Sequence, residues 1–229
     1  MEKNKNINFN HWIFDLDNVL YNANSGIFDQ IYKRMGEFIS TNLKINLKDA
    51  KILQKKYFIE NGTTLHGLMI NHNIKPKNFL EYVHDIDFSI VKPDIELNYL
   101  IKKIPGKKIV FTNADMEYAK KILKNLDLLN VFDDIFDIEK MDFLPKPNLK
   151  TYKKLIATYN FDVKKTIFFD DIPQNLFPAA RLGLKTVQVY NKNLHKELNG
   201  QLKKTLTNKK IDYMTHSLKK WLKKWMLNN

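Results

Sequence analysis

The residue types in this sequence that could do chemistry stand directly after short apolar segments. A carboxylate can attack phosphorus and form an acyl phosphate, and several carboxylates brought together repel one another unless a cation holds them. Oxygen-only ligand sets favour a hard ion such as Mg²⁺, while a hydroxyl and an amide beside a helix N-terminus suit a phosphate. The candidate residues are Asp15, Asp17, Thr112, Asn113, Asp170 and Asp171.

The apolar segments that precede these residues have the composition of buried strands. Segments 12–14, 108–112, 135–138, 166–169, 186–189 and 211–214 are predicted as strands, and helical spacing predicts helices over 116–126, 149–159, 177–182 and near the C-terminus up to about 226. Strands that alternate with helices form a parallel sheet covered on both faces. The sequence therefore predicts an α/β fold with a Rossmann-like, doubly wound parallel sheet, whose ligands bind beyond the carboxyl ends of the strands.

The segment between the first two predicted strands has no strand pattern of its own. Apolar residues recur there at helical spacing, as in Ile27, Ile31 and Met35 and again in Leu53 and Tyr57. We therefore expect an all-helical insert at residues 22–88, hereafter the cap. The remaining residues, 1–21 and 89–229, are expected to form the α/β core domain.

Four short motifs occur in the same order as in a known family of enzymes. Together they resemble the haloacid dehalogenase (HAD) superfamily of aspartate-nucleophile phosphatases, and the helical insert resembles the C1-type cap of that family. Each motif alone is weak, whereas all four in order with matching strand context are specific. The motifs are Asp15-Leu16-Asp17, Phe111-Thr112-Asn113, Pro145-Lys146-Pro147 and Asp170-Asp171 followed by Asn175.

The resemblance implies a role for each residue that would contact phosphate. Asp15 would be the nucleophile and a metal ligand, and Asp17 would protonate the leaving group and then activate water. The backbone carbonyl of Asp17 would also bind the metal. Thr112 and the amide of Asn113 would hold phosphate oxygens, and Lys146 would neutralise both the nucleophile and the phosphate.

The resemblance also implies a Mg²⁺ site that includes the second pair of acids. Asp171 aligns as the direct ligand with Asp170 close behind, and Asn175 would orient groups of the loop. One departure is that Ile172-Pro173 follows the acid pair where the family commonly has a small residue, often serine. This departure concerns a hydroxyl contact and leaves the metal site in place.

A narrower resemblance covers nearly the whole chain. Four segments look like the pyrimidine 5'-nucleotidase branch, which implies hydrolysis of nucleoside monophosphates such as UMP and CMP. The candidate substrate-binding residues of the cap are Asn22, Thr63, Thr64 and His66, although the same residues could instead hold the cap together. The segments are Asp17–Tyr21, Gly62–Leu68, Tyr82–Asp87 and Phe136–Glu139.

Three other functions are alternatives to a phosphatase. A phosphomutase of the same superfamily would transfer the phosphoryl group to a second substrate hydroxyl. A dehalogenase needs neither the metal nor the second aspartate, so Asp17 and the acid pair argue against it. A basic nucleic-acid-binding protein on a dead hydrolase fold would not need the intact Asp15 and Asp17.

Composition narrows the class of protein further. The 229 residues contain 44% hydrophobic residues, enough for a sizeable core, and no cysteine, which excludes disulfides, thiolate zinc sites and cysteine catalysis. The formal net charge is +13, of which residues 192–229 carry +8. Lysine supplies almost all of this charge, and Arg34 and Arg181 are the only arginines, which argues against nucleic acid as the main partner. With no apolar membrane span and no leader at the N-terminus, we expect a cytoplasmic protein that acts on a small phosphorylated metabolite.

Overall fold

The centre of the fold is a parallel sheet. The computed structural model describes residues 8–190 and 211–228. The strands in these ranges are β1 (His11–Phe14), β2 (Lys107–Phe111), β3 (Asp134–Phe136), β4 (Thr166–Asp170), β5 (Lys185–Val189) and β6 (Tyr213–Thr215). They lie in the order β3-β2-β1-β4-β5-β6, and every neighbouring pair is parallel. Because β2 and β3 are added on one side of β1 and the later strands on the other, the predicted doubly wound α/β fold is confirmed.

Helices connect the strands and cover both faces of the sheet. The long connection between β1 and β2 carries α1 to α5, and one helix follows each of β2, β3, β4 and β6. The helices are α1 (Ile27–Leu43), α2 (Leu47–Asn61), α3 (Thr64–His72), α4 (Pro76–Val83), α5 (Ile95–Lys103), α6 (Met116–Asn125), α7 (Leu149–Tyr159), α8 (Pro173–Arg181) and α9 (Leu218–Leu227).

Alternating residues of each strand belong to two separate apolar clusters, because successive side chains of a strand point to opposite faces. Trp12 and Phe14 of β1 pack in the cluster that includes residues of α5, α6 and α9. Ile13 packs in the other cluster, with residues of α7, α8 and the cap. The central strands are thus buried on both faces, which explains their continuous apolar runs.

Three of the four cap helices, α2, α3 and α4, begin at residues that favour a helix start. The side chains of Asn46 and Thr63 accept hydrogen bonds from the backbone N–H groups of Asp49 and His66, which caps α2 and α3. Pro76 is the first residue of α4, a position where the missing N–H of proline costs nothing. The predicted all-helical insert after the first strand is therefore present.

Helix α9 packs on the core through its aromatic side chains. The ring of Trp225 lies 4.7 Å from that of Trp12 and the ring of Trp221 lies 5.0 Å from that of Phe169. Lys219 Nζ lies 2.7 Å from an oxygen of Asp94, beside α5. In the described ranges no helix has the length and apolarity needed to cross a membrane. Residues 1–7 and 191–210, which include most of the basic C-terminal segment, lie outside the described part of the chain.

Two helix predictions were incomplete. Helix α5 was not predicted, although its residues Leu97, Leu100 and Ile101 are buried against the sheet. Helix α8 begins at Pro173 and not at Phe177, because Pro173 occupies the first turn, where a proline is tolerated. The strand ends differ from the predicted ones by one or two residues, as expected for element boundaries.

Candidate active site

The sheet brings the predicted site residues together because β1, β2 and β4 are adjacent. Asp15 directly follows β1, Thr112 follows β2, and Asp170 is the last residue of β4. The backbone N–H of Asp15 donates to the carbonyl of Phe169 at 2.8 Å, and that of Thr112 donates to Phe136 at 3.1 Å. The strand ladder thus extends into the site and fixes the backbone from which these side chains project.

Three buried carboxylates face one another at this edge. Asp15, Asp170 and Asp171 each offer an oxygen, and these oxygens lie within 4.8 Å of one another. Oxygens that share one Mg²⁺ at about 2.1 Å lie up to about 4.2 Å apart, so the cluster has nearly the spacing of a divalent-cation site. An all-oxygen donor set of this charge fits a hard cation such as Mg²⁺.

Lys146 is the buried cation that faces these acids. Its Nζ lies 3.0 Å from Asp15 Oδ1 and 2.8 Å from Asp170 Oδ2, and it donates to the carbonyl of Phe111 at 2.9 Å. The side chain is 1% exposed. Its three ammonium hydrogens therefore already have three acceptors, which suits neutralisation of Asp15. A direct contact to phosphate would require Lys146 to release one of these acceptors.

The two members of the acid pair have different surroundings. Asp170 accepts hydrogen bonds from Asn175 Nδ2 at 3.1 Å and from the backbone N–H of Ile172 at 2.9 Å, in addition to its ion pair with Lys146. Asp171 accepts a hydrogen bond from Asn18 Nδ2 at 3.1 Å. Protein donors therefore satisfy Asp170, and Asn175, which the resemblance implied would orient groups of the loop, is one of these donors.

Burial and like charges shift the protonation of the cluster. Burial raises the pKa of Asp15 well above its usual range; Lys146 opposes this, and the neighbouring acids add to it. Burial, with Asp170 close by, raises the pKa of Asp171 to about 8. Burial alone would lower the pKa of Lys146, but Asp15 and Asp170 outweigh it and the pKa is raised. The cluster thus holds more negative charge than Lys146 compensates, and a divalent cation would relieve the excess.

Asp17 lies beside this cluster and is held by two phenols. Its Oδ1 accepts hydrogen bonds from the hydroxyls of Tyr21 at 2.5 Å and Tyr118 at 2.9 Å, and the two hydroxyls lie 3.2 Å apart. Burial raises the pKa of Asp17, and these hydrogen bonds oppose that shift. Burial also raises the pKa of both tyrosines well above 10, so they remain proton donors to Asp17.

Thr112 and Asn113 directly follow β2, as predicted, and the side chain of each accepts a hydrogen bond from a backbone N–H group. Thr112 Oγ1 accepts a hydrogen bond from the N–H of Ala114 at 3.1 Å, which leaves its own hydrogen available to a ligand. Asn113 Oδ1 accepts from the N–H of Lys146 at 2.8 Å. Asn113 thereby ties the end of β2 to the loop that carries Lys146.

Comparison with known proteins decides the family of this chain. The haloacid dehalogenase-like hydrolase family matches residues 10–183, about three quarters of the sequence. The chain belongs to this family. The four motifs, the first four strands and the acid cluster all lie within the matched region.

Individual members of the HAD family are distant relatives. Phosphate metabolism protein 8 of Saccharomyces cerevisiae is 28% identical over 193 residues, which cover 76% of this chain and 59% of the yeast protein. Glyceraldehyde 3-phosphate phosphatase of Methanocaldococcus jannaschii is 23% identical and covers 90% of this chain and 92% of its own length. The magnesium-bound structure of the HAD-hydrolase YfnB of Bacillus subtilis has a TM-score of 0.61 and 14% identity, and it covers 95% of this chain and 99% of that one. This structural likeness supports the fold.

The predicted substrate-binding residues of this HAD-family chain have partners within the protein. Thr63 Oγ1 caps α3 through the N–H of His66, and Thr64 Oγ1 donates to the carbonyl of Gln54 at 3.1 Å. His66 Nδ1 lies 3.1 Å from the carbonyl of Phe143, a residue of the core. Asn22 is exposed and caps the short turn at Ala23–Ser25. A role in holding the cap is thus visible for each of the four residues.

Gly62 shows how closely the cap approaches the loop that carries Lys146. Its φ of +81° is a conformation that other residues rarely adopt. A Cβ added at Gly62 would lie 2.9 Å from the carbonyl oxygen of Lys146. The contact between the cap and the loop of Lys146 therefore requires a glycine at this position.

Sequence reasoning missed three residues around the two aspartates. Tyr118, Asn18 and His84 were not predicted as site residues, although His84 lies in the segment Tyr82–Asp87 that resembles the nucleotidase branch. The available signal for Tyr118 was its position four residues before Ile122 on the buried face of a helix, because a buried tyrosine hydroxyl needs a partner. Asn18 is identified by the structure and not by the sequence: its backbone φ of +61° belongs to a constrained turn.

Proposed function

We propose that the chain is a Mg²⁺-dependent phosphomonoesterase that forms an acyl phosphate on Asp15. The observation that carries this proposal is the arrangement of Asp15 and Asp17 beside Asp171 and Lys146 at the carboxyl edge of the sheet. One carboxylate is neutralised by a lysine, as a nucleophile should be in a site that binds an anion. A second carboxylate, two residues on, has the raised pKa that suits proton transfer.

In the first half of the proposed reaction, an oxygen of Asp15 attacks phosphorus. The bond from phosphorus to the leaving oxygen breaks, and that oxygen takes the proton of Asp17, so an alcohol departs and Asp17 becomes a carboxylate. Thr112 and the amide of Asn113 would hold the phosphate oxygens, and Lys146 together with the bound cation would favour the ionised form of Asp15 against the effect of burial.

In the second half, Asp17 removes a proton from water. The water oxygen attacks phosphorus, the bond to Asp15 breaks, and inorganic phosphate and the free enzyme result. Asp15, Asp171 and the backbone carbonyl of Asp17 would hold Mg²⁺, with Asp170 as a supporting acid. When bound, Mg²⁺ would neutralise charge on the phosphate oxygens.

We propose pyrimidine nucleoside monophosphates as the substrates. The support is the extended resemblance around Asp17–Tyr21 and Gly62–Leu68, together with the position of the latter segment over the Lys146 loop. The relative of similar length from Methanocaldococcus jannaschii carries the name of a phosphatase for a three-carbon phosphate. A small sugar or triose phosphate is therefore the competing substrate class that an assay must include.

Phosphate release from a panel of phosphate esters tests this proposal. The panel holds UMP, CMP, AMP, glyceraldehyde 3-phosphate and a hexose phosphate, each with Mg²⁺, and Asp15→Asn serves as the blank. Higher kcat/KM for UMP and CMP than for the other esters is expected. Higher kcat/KM for glyceraldehyde 3-phosphate would overturn the nucleotide assignment, isomerisation of the hexose phosphate without phosphate release would indicate a mutase, and no release from any ester would overturn the phosphatase.

A further inference from the structure

The contacts of Asp17 continue from the active site into the cap. Tyr21 and Tyr118 donate to the same oxygen of Asp17, at 2.5 Å and 2.9 Å. Tyr21 belongs to the segment that leads from β1 to the cap, whereas Tyr118 lies in α6 of the core. Two hydroxyls from different parts of the chain therefore fix one oxygen of this carboxylate.

His84 of the cap holds Tyr118 from the other side. The His84 ring lies 4.3 Å from the ring of Tyr118, and His84 Nδ1 lies 2.5 Å from Asp115 Oδ2. The other oxygen of Asp115 accepts the backbone N–H of Tyr118 at 2.8 Å and so caps α6. Asp115 thus connects the histidine of the cap with the first turn of the helix that carries the tyrosine.

These side chains are largely buried. Tyr118 is 1% exposed, and the side chains of His84 and Asp115 are each 13% exposed. Phe88, the last residue of the cap, also packs on Tyr118, with ring centroids 5.6 Å apart. Seating of the cap on the core is therefore needed to enclose Tyr118.

We propose that Tyr21 and Tyr118 are positioning residues for Asp17, and that His84 completes this arrangement when the cap is seated on the core. The inference rests on the proposed phosphatase function, since it concerns proton transfer by Asp17. With Oδ1 occupied by two hydroxyls, the proton that goes to the leaving group would be carried by Oδ2. Seating of the cap on the core would thereby orient the carboxyl group of Asp17.

The test uses two esters of similar size whose leaving groups differ in their need for a proton. Benzyl phosphate releases a strongly basic alkoxide that must be protonated, whereas p-nitrophenyl phosphate releases a stable phenolate. The value of kcat/KM reports only the steps up to departure of the leaving group. Loss of a positioning residue of Asp17 therefore lowers kcat/KM for benzyl phosphate selectively, whereas a structural defect lowers both values.

We expect Tyr118→Phe and Tyr21→Phe each to lower kcat/KM for benzyl phosphate about tenfold or more, with less than about threefold change for p-nitrophenyl phosphate. For His84→Ala the same selective loss is expected at about three- to fivefold, because His84 acts through Tyr118. The matched control is Tyr57→Phe, which removes a hydroxyl bonded to His72 at 2.6 Å within the cap and should change neither value.

Three outcomes would overturn this inference. Equal losses on both esters in Tyr118→Phe and Tyr21→Phe would show that the tyrosines only support the fold. A selective loss in the tyrosine variants with none in His84→Ala would remove the cap from the arrangement. Absence of turnover that depends on Asp15 in the unmodified protein would overturn the proposed function itself, and the inference with it.

Discussion

Lys146 and Asp15 form a buried ion pair beneath the carboxyl end of the sheet, with Nζ 3.0 Å from Oδ1. The same oxygen of Asp15 accepts the backbone N–H of Leu16 at 2.8 Å. Both contacts are made to one oxygen, so they fix the plane of the carboxylate and with it the direction of the second oxygen. Lys146 favours the ionised form of Asp15 against the effect of burial, and this pairing underlies the first two predictions.

Asp15→Asn is expected to lower kcat for any substrate ester by more than about a hundredfold, because a neutral amide cannot form the acyl phosphate. The measurement is steady-state phosphate release in saturating Mg²⁺. Asp29→Asn, a change in the first turn of α1 away from the site, is the control and should retain activity. Retention of a tenth or more of kcat by Asp15→Asn would refute the assignment of the nucleophile.

Lys146→Met should lower the free energy of unfolding by about 3–5 kcal/mol, because it leaves two buried carboxylates without their cation. Urea unfolding in the presence of a chelator measures this loss. The double variant with Asp170→Asn should recover part of it, since one of the unpaired charges is then gone. Equal stability of the single and double variants would contradict the coupling of Lys146 and Asp170.

The acid pair should separate into a ligand and a supporting residue. Asp171→Asn is expected to weaken Mg²⁺ binding at least tenfold with little loss of stability, because the family resemblance aligns Asp171 as the direct metal ligand and it is Asp170 that pairs with Lys146. Asp170→Asn should instead lower the melting temperature, since Lys146 and Asn175 depend on it. Calorimetric titration with Mg²⁺ and thermal unfolding measure the two effects, and the reverse pattern would exchange the roles.

Removal of the metal should stop turnover reversibly. Excess chelator is expected to abolish phosphate release, Mg²⁺ should restore it, and Ca²⁺ should support it poorly because Ca²⁺ accepts more oxygens and looser geometry. The control is the same assay with matched ionic strength and a monovalent salt. Full activity in chelator would contradict a metal-dependent mechanism.

Selectivity among nucleotides tests the cap. If Thr63 and Asn22 contact the base, Thr63→Val and Asn22→Ala should change the UMP to AMP ratio of kcat/KM about five- to a hundredfold, the effect of one lost hydrogen bond. A small generic phosphate ester should be unaffected. The control is Thr158→Val, an exposed threonine of α7. Equal losses on all esters would assign both residues to the hydrogen bonds that hold the cap.

Asp212 should contribute stability that depends on pH. Burial alone would raise the pKa of Asp212, but the hydrogen bonds from Lys185 and Thr186 outweigh burial and hold it below its usual value. A lowered pKa in the folded state stabilises above the unfolded value of about 4 and is lost as pH falls through the folded value. Asp212→Asn is therefore expected to cost about 1–2 kcal/mol at pH 7 and progressively less below pH 4. A difference from the unmodified protein that is independent of pH would contradict this.

Local patterns were sufficient for the sheet and much of the candidate site. Trp12-Ile13-Phe14 and Ile167-Phe168-Phe169 are apolar throughout because both faces of their strands are buried. The polar residues directly after them must then lie at the carboxyl edge, wherever the strands sit in the sheet. Helix α5 was missed since Ile95 and Tyr99 are exposed apolar residues, which blur the expected stripe.

The sequence by itself determined which chemical groups stand at the strand ends, and thereby the family of reactions this protein could carry out. Only the tertiary structure decided how these groups are paired. The ammonium group of Lys146 contacts Asp15, Asp170 and the backbone carbonyl of Phe111. Asp17 accepts hydrogen bonds from Tyr21, four residues away in the sequence, and from Tyr118, which is 101 residues away. The physical reason is that strand and helix patterns depend on neighbours along the chain, whereas ion pairs and hydrogen bonds depend on distances of a few ångströms that only the packed sheet and cap define.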